Sequence, residues 1–150
     1  MSRDKKSSLM KNTYDTVLVV CRRKGYSTVK VYFISGHLDL TANEFLEHYV
    51  PLIDSALSGE CSFIVGDARG TDAYAQKYLS GKNVSVTVYH MFDSPRNNSG
   101  FPVVGGFESD NSRDKQMTAD SQIDIAWVRP GREKSGTQRN LARRNKFSAK

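Results

Sequence analysis

Three glycine-bearing turns have residue types suited to holding an anion: Ser35-Gly36, Gly66-Asp67-Ala68-Arg69-Gly70, and Gly131-Arg132-Glu133-Lys134-Ser135-Gly136-Thr137. Each lies where an apolar, β-rich run ends and a helix-forming segment begins. Glycine there lets a ligand approach the backbone, and the free N–H groups opening the next helix, with its dipole, favour negative charge. Ser135-Gly136-Thr137 offers a phosphate the most, because two hydroxyls and consecutive amides can converge on it while Lys134 or Arg139 supplies charge. Arg69 and Arg113 stand at junctions of the same kind, where a guanidinium either grips phosphate bidentately or pairs with Asp67 or Asp114.

Several carboxylates are available for acid–base work. Asp67 and Asp72 flank the second turn, Glu108 and Asp110 lie in a long polar stretch, and Asp114 opens a helix. Asp67 is a ligand candidate whose competing role is to accept hydrogen bonds within its own turn, and Asp72 is expected to cap the helix that follows. His37 and His90 follow strands and could overhang a site, whereas His48 falls within a helix. Cys21 and Cys61 have no partner at metal-ligand spacing and read as reduced, buried or half-buried thiols, so neither metal nor cofactor is expected.

The elements that would position these groups alternate along the chain. Met1 to Thr13 is a polar, basic lead-in expected to be disordered. Val17–Val20 and Val29–Ile34 read as strands entering a sheet through a hairpin-like turn. Thr41 with Glu44 forms a capping-box signature for a helix expected to turn Phe45, Leu46, Tyr49, Ile53 and Leu57 inward, with a kink or split at Pro51. Further strands are expected at Cys61–Val65, Val84–Tyr89 and Ile123–Val128, and helices after Gly70, from Ser112 to Asp120, and from Thr137. Between them, His90 to Asn111 reads as a long loop, functional or disordered, in which Phe92, Phe101 or Phe107 covers a nucleobase or pins the loop to the body. Trp127, Tyr89 and Phe33 read as core. This alternation predicts a single α/β domain over residues 14–147, followed by a short tail at 148–150, with a mostly parallel sheet covered by helices on both faces. The glycine turns would then share the sheet's carboxyl edge.

With 150 residues and 38% apolar content the chain suits one domain, and no apolar run is long enough to span a membrane. The polar start lacks the apolar core of an export signal, so a cytoplasmic location is expected. The net charge of +6 is uneven. Residues 1–30 carry eight Lys/Arg against two Asp, and residues 129–150 carry eight against one Glu. Residues 31–128 are left with six cations and thirteen acids. An acidic centre counts against a broad nucleic-acid face, so nucleic acid ranks below a small ligand as partner.

Gly66-Asp67-Ala68-Arg69-Gly70-Thr71-Asp72 with Gln76, then Arg113-Asp114-Lys115-Gln116-Met117 with Asp120, then Trp127 and Ser135-Gly136-Thr137-x-x-Asn140-Leu141 resemble the SLOG superfamily. That superfamily comprises the Rossmann-like relatives of the DNA-processing protein DprA, the cytokinin-activating LOG enzymes and the YspA/YpsA-type proteins. The likeness runs from about Val29 to Arg144 and is nearest the small YspA-related members. It implies a Rossmann-like fold and a nucleotide or nucleotide-derivative ligand, gripped by Ser35-Gly36 and Ser135-Gly136-Thr137, in a chain compatible with a homo-oligomer. LOG enzymes carry a glutamate where this chain has Asn140. An amide cannot exchange a proton near neutral pH, so Asn140 would hydrogen-bond a ribose or phosphate, or cap nearby backbone. The expectation is a sensor or sequestering module. The alternatives are a nucleoside 5′-monophosphate N-glycosidase using Glu108 or Asp110, and a DprA-like nucleic-acid binder.

Overall fold

The computed structural model describes residues 29–148. Lys30–Ile34 (β1) and Cys61–Gly66 (β2) run side by side in parallel, with Lys30 opposite Cys61 and Ile34 opposite Val65. Ser85–Met91 (β3) joins β2, Val103–Phe107 (β4) joins β3, and Ile123–Ile125 (β5) takes the other side of β1. The order is β4-β3-β2-β1-β5 with every pairing parallel. A parallel sheet is covered on both faces, so its central strands must be apolar on both. Ile34, Phe63, Val65, Val86 and Val88 fill one face, and Phe33, Ile64 and Tyr89 fill the other.

On the first face lie Ala42–His48 (α1), Val50–Leu57 (α2) and Thr71–Leu79 (α3), which bury Phe45, Ile53, Ala75 and Leu79. The Thr41 capping box is complete. Glu44 N–H donates to Thr41 Oγ1 at 3.1 Å, and Thr41 N–H donates to Glu44 Oε1 at 2.9 Å. The expected interruption at Pro51 is a split at Tyr49, which leaves Pro51 in the first turn of α2, where its missing N–H costs nothing. Leu46 is exposed rather than inward: it lies one residue beyond Phe45 and so about 100° away from the stripe that Phe45, Tyr49 and Ile53 form. Asp110–Ala119 (α4) and Gly136–Ser148 (α5) cover the second face, with Met117 of α4 against Phe33 and Tyr89 and with α5 packed on α4 and β5.

The stretch from His90 to Asn111 is not one loop, because it contains β4. Four of β4's five residues are exposed and two are glycine, so no apolar alternation marks it in the sequence. Gly105 is required there, since a Cβ at that position would run into the buried His90 ring. Helix α4 begins two residues earlier than expected, capped by Ser109, and β5 stops at Ile125. Trp127 lies beyond β5, half-buried, with its ring stacked on His48 at 3.9 Å. Phe101 and Phe107 pack against the core, whereas Phe92 is exposed. Cys61 is a free, half-buried thiol. The basic lead-in, the Val17–Val20 run and Cys21 lie outside the described residues, as do residues 149–150 of the tail. Among the described residues, no helix is long and apolar enough to cross a membrane.

Tyr49 ties the strand ends together. Its buried hydroxyl donates to Ser35 O at 2.7 Å and accepts from Trp127 N–H at 3.0 Å, so a single side chain joins the segments following β1 and β5. Tyr49→Phe leaves both backbone groups without that partner, and the expected cost is about 1–3 kcal/mol. In urea unfolding the midpoint should fall with the slope unchanged.

Candidate functional site

Strand order changes direction at β1. The chain leaves β1 toward β2 on one side and returns later to place β5 on the other. In such sheets the loops following the two strands diverge and leave a crevice beyond their carboxyl ends. A cleft of about 300 Å³ lies there, walled by residues 35–38 after β1, the β2–α3 turn, the start of α4 and the start of α5. Of the residues expected at a ligand, Ser35, Gly36, Gly66, Arg113, Ser135, Gly136, Thr137 and Asn140 line it, together with Asp110. Asp67 sits behind this lining, almost fully buried. Arg69 is exposed and lies outside the lining, as does Glu108.

Two of the glycines serve the packing of turns. A Cβ on Gly36 would strike Thr71 and the Tyr49 hydroxyl. Gly70 has φ +73° and presses against the carbonyls of His37 and Leu38. The same crossing is knitted by Thr71, whose N–H and hydroxyl both donate to His37 O, at 3.2 and 3.1 Å. Gly136 is different: a Cβ there would meet only Arg139 Nη2, at 3.5 Å, so no packing in the fold demands glycine.

The floor of the cleft is an ion-pair network centred on Arg113, which is 6% exposed. Its Nη1 donates to Asp67 Oδ1 at 2.9 Å and lies 3.3 Å from Asp110 Oδ1, while its Nε and Nη2 donate to Asp114 Oδ1 at 3.1 and 3.0 Å. Arg96 adds a backbone N–H bond to Asp67 at 2.7 Å and side-chain bonds at 3.1 and 2.8 Å. Burial alone would raise the pKa of Asp67, but its hydrogen bonds to Arg96 and the charge of Arg113 outweigh that and hold it low. Arg96 lies in the stretch read as an open loop, and no motif in the sequence singled it out.

From Asp114 the network continues into α5. Asn140 Nδ2 donates to Asp114 Oδ2 at 3.1 Å, and Asn140 Oδ1 accepts from Arg143 Nη1 at 2.7 Å. Both ends of the Asn140 amide are thus engaged by side chains of α4 and α5, and none of its hydrogen bonds goes to the backbone.

Asp72, expected as a helix cap, has another place. The N-cap of α3 is Gly70, and Asp72 sits in the first turn with its carboxyl folded back, Oδ2 accepting the Ala68 N–H at 3.1 Å. It lines the cleft and is 7% exposed. Burial pushes its pKa up from 3.8 to about 7, against the pull of Arg113.

His37 lines the cleft as a neutral acceptor. Burial first, then Arg132 and Arg129, lowers its pKa, and its Nε2 accepts the Arg129 N–H at 2.9 Å. Arg129 in turn grips Glu44 at 2.8 and 2.7 Å and holds that carboxylate down to about 2. His90 lies beneath β4, and neither it nor Phe92, Phe101 or Phe107 lines the cleft.

The start of α5 forms the opposite wall. Ser135 Oγ accepts the Gln138 N–H at 3.2 Å, which leaves the Gly136 and Thr137 amides as the unpaired first donors of a 13-residue helix. Arg139 donates to Lys134 O, and Arg143 to the side-chain oxygens of Asn140 and Asn111. Among the described residues neither arginine pairs with a carboxylate. Ser35 lines the same cleft, and its Oγ is buried and without a hydrogen-bond partner among the described residues. Among the described residues no group of three His, Cys, Asp or Glu side chains could hold a metal ion. The arrangement can therefore hold an anion, with a buried carboxyl close to neutrality beside it.

The state of Asp72 can be checked through stability. A carboxyl whose folded pKa lies above its unfolded value favours the fold when protonated, below about pH 4, and loses that contribution as pH rises through about 7. Asp72→Asn should therefore match the wild type near pH 4 and exceed its stability at pH 8, by at most about 4 kcal/mol for a shift of this size. Urea unfolding at both pH values measures this. Comparison with protein-family models, with curated proteins and with solved structures gives no match.

Proposed function

We propose that this cleft binds a nucleotide or nucleotide derivative by its phosphate, as a sensing or sequestering module. The observation that carries this is the wall at α5. Two unpaired helix-terminal amides and two arginines without carboxylate partners open on a cleft that Ser35 also lines, its buried hydroxyl without a hydrogen-bond partner among the described residues. A buried hydroxyl left without a partner costs free energy, and a phosphate oxygen would supply the missing bond. The helix dipole and the guanidinium charge add in the same direction.

Size and lining fit a small nucleotide. The volume is at the low end of ligand pockets, enough for a mononucleotide and cramped for a dinucleotide. Leu38, half exposed at the mouth, offers an apolar surface for a base. A ligand of this kind is also what the SLOG resemblance implies. Binding rather than hydrolysis is favoured because Asn140, which stands where LOG enzymes have glutamate, has both ends of its amide occupied within the protein.

Calorimetric titration with nucleoside 5′-monophosphates and with the corresponding nucleosides tests this. The phosphate should be worth at least about tenfold in affinity, on the order of one charge-assisted hydrogen bond. Gly136→Val should remove binding while the fold survives, since a Cβ there meets only Arg139 Nη2 at an ordinary 3.5 Å contact, and Arg139→Ala should weaken binding several-fold. Equal affinity for nucleoside and nucleotide, or unchanged affinity in a folded Gly136→Val protein, would remove the phosphate from this wall. Release of free base on long incubation would replace the binding module by a hydrolase.

A further inference from the structure

The floor of the cleft holds more carboxyl groups than guanidinium groups to match them. Asp67, Asp110 and Asp114 each accept a direct hydrogen bond from Arg96 or Arg113. Asp72 does not: its hydrogen bond is to the Ala68 backbone N–H. Four carboxyls thus face two guanidiniums, and the one left without a guanidinium bond is the most deeply enclosed of those lining the cleft. It meets Arg113 only across Gly66, where an added Cβ would strike Asp72 Oδ2 and lie 3.1 Å from Arg113 Cζ. An ionised carboxylate here would be buried, short of donors and in the same cleft as an incoming phosphate, so the like charges would repel.

We propose that Asp72 takes up a proton when the cleft receives a phosphate, so that anion binding is coupled to protonation and weakens as pH rises through neutrality. This rests on the phosphate reading of the cleft. The step is a simple proton balance: one proton leaves solvent, the Asp72 carboxylate becomes a neutral carboxyl, and the phosphate enters with its charge unchanged. The surrounding groups leave Asp72 as the one that titrates. Asp67 is held low by Arg96 and Arg113, Asp110 and Asp114 are ion-paired with the same two guanidiniums, and the Tyr49 hydroxyl, pushed up to about 12 by burial, stays neutral. His37 is lowered from 6.5 and stays neutral above that pH. The position of the Asp72 transition, near 7, is where a cell's pH changes would move it.

The test compares wild type with Asp72→Asn, which keeps an oxygen to accept the Ala68 N–H. A nucleoside 5′-monophosphate is titrated between pH 6.5 and 8.5 in two buffers of different ionisation enthalpy, so that proton uptake is read directly. The ligand's own titration is common to both proteins and cancels. The wild type should lose about three- to tenfold in affinity across this range and take up a fraction of a proton on binding, while Asp72→Asn should hold the wild type's acid-side affinity and lack that uptake. Binding by both proteins with the same pH dependence would overturn the coupling and leave the phosphate site standing. Binding by neither at any pH would remove the phosphate site, and the coupling with it. Should Asp72→Asn fail to fold, the Asp72 carboxyl carbon of the wild type is followed by NMR: an apparent pKa that rises on ligand addition supports the coupling, and one that does not move overturns it.

Discussion

A guanidinium almost wholly withdrawn from water must be matched by carboxylates, and the burial of Arg113 sets this requirement for the whole second face of the molecule. Asp67 meets it from the end of β2, and Asp110 and Asp114 meet it from α4 itself. Asp114 then holds Asn140, so α5 is fastened to the same point. Gly66 must lack a side chain, because Arg113 and Asp72 approach from that side. Removing one member of a buried pair costs roughly 3–5 kcal/mol in general, since it strands the other. The start of α5 therefore hangs over the strand ends because a single buried charge fixes the helices around it.

The sheet supplies the other half of the site. The five strands of the described residues are parallel and send every connection out at one edge, and the reversal between β1 and β5 opens the crevice there. Tyr49 pins the segments following both strands, and the crossing of Thr71 on His37 O closes the side toward α3. Of the three buried side-chain atoms without a hydrogen-bond partner among the described residues, Ser35 Oγ, Thr118 Oγ1 and Asp124 Oδ2, only the first belongs to a residue that lines the cleft. Ser35 Oγ and the first amides of α5 are the ones that a phosphate would satisfy.

The elements legible in the sequence are those whose local chemistry and tertiary role agree. β1, β2 and β3 are runs of β-branched and aromatic residues, and the Thr41–Glu44 box forms as its spacing demands. β4 was not legible, because Val103-Val104-Gly105-Gly106-Phe107 is an exposed edge strand held by backbone pairing, with a glycine forced by His90. Leu46 was misplaced because its apolar character says nothing about the angle at which it leaves the helix. The glycine turns lie at the edge where the cleft opens and eight of the residues expected at a ligand line it, but Arg69 is exposed while Arg113 takes the buried place. Arg96 was missed, and Asp72, nominated for acid–base work, was assigned to a cap, because each gets its role from partners distant in sequence: Asp72 from its enclosure beside Arg113, Arg96 from Asp67.

The central claim is that the α5 start, in the cleft that Ser35 also lines, is where an anion sits. Backbone amide NMR during titration with a nucleoside 5′-monophosphate examines it residue by residue. The largest shifts are expected at the amides of Gly136 and Thr137, with a second group at Ser35 and Gly36 across the cleft. Shifts that leave these amides unmoved and gather elsewhere, for instance on the outer faces of α4 and α5 around Lys115 and Lys146, would contradict it.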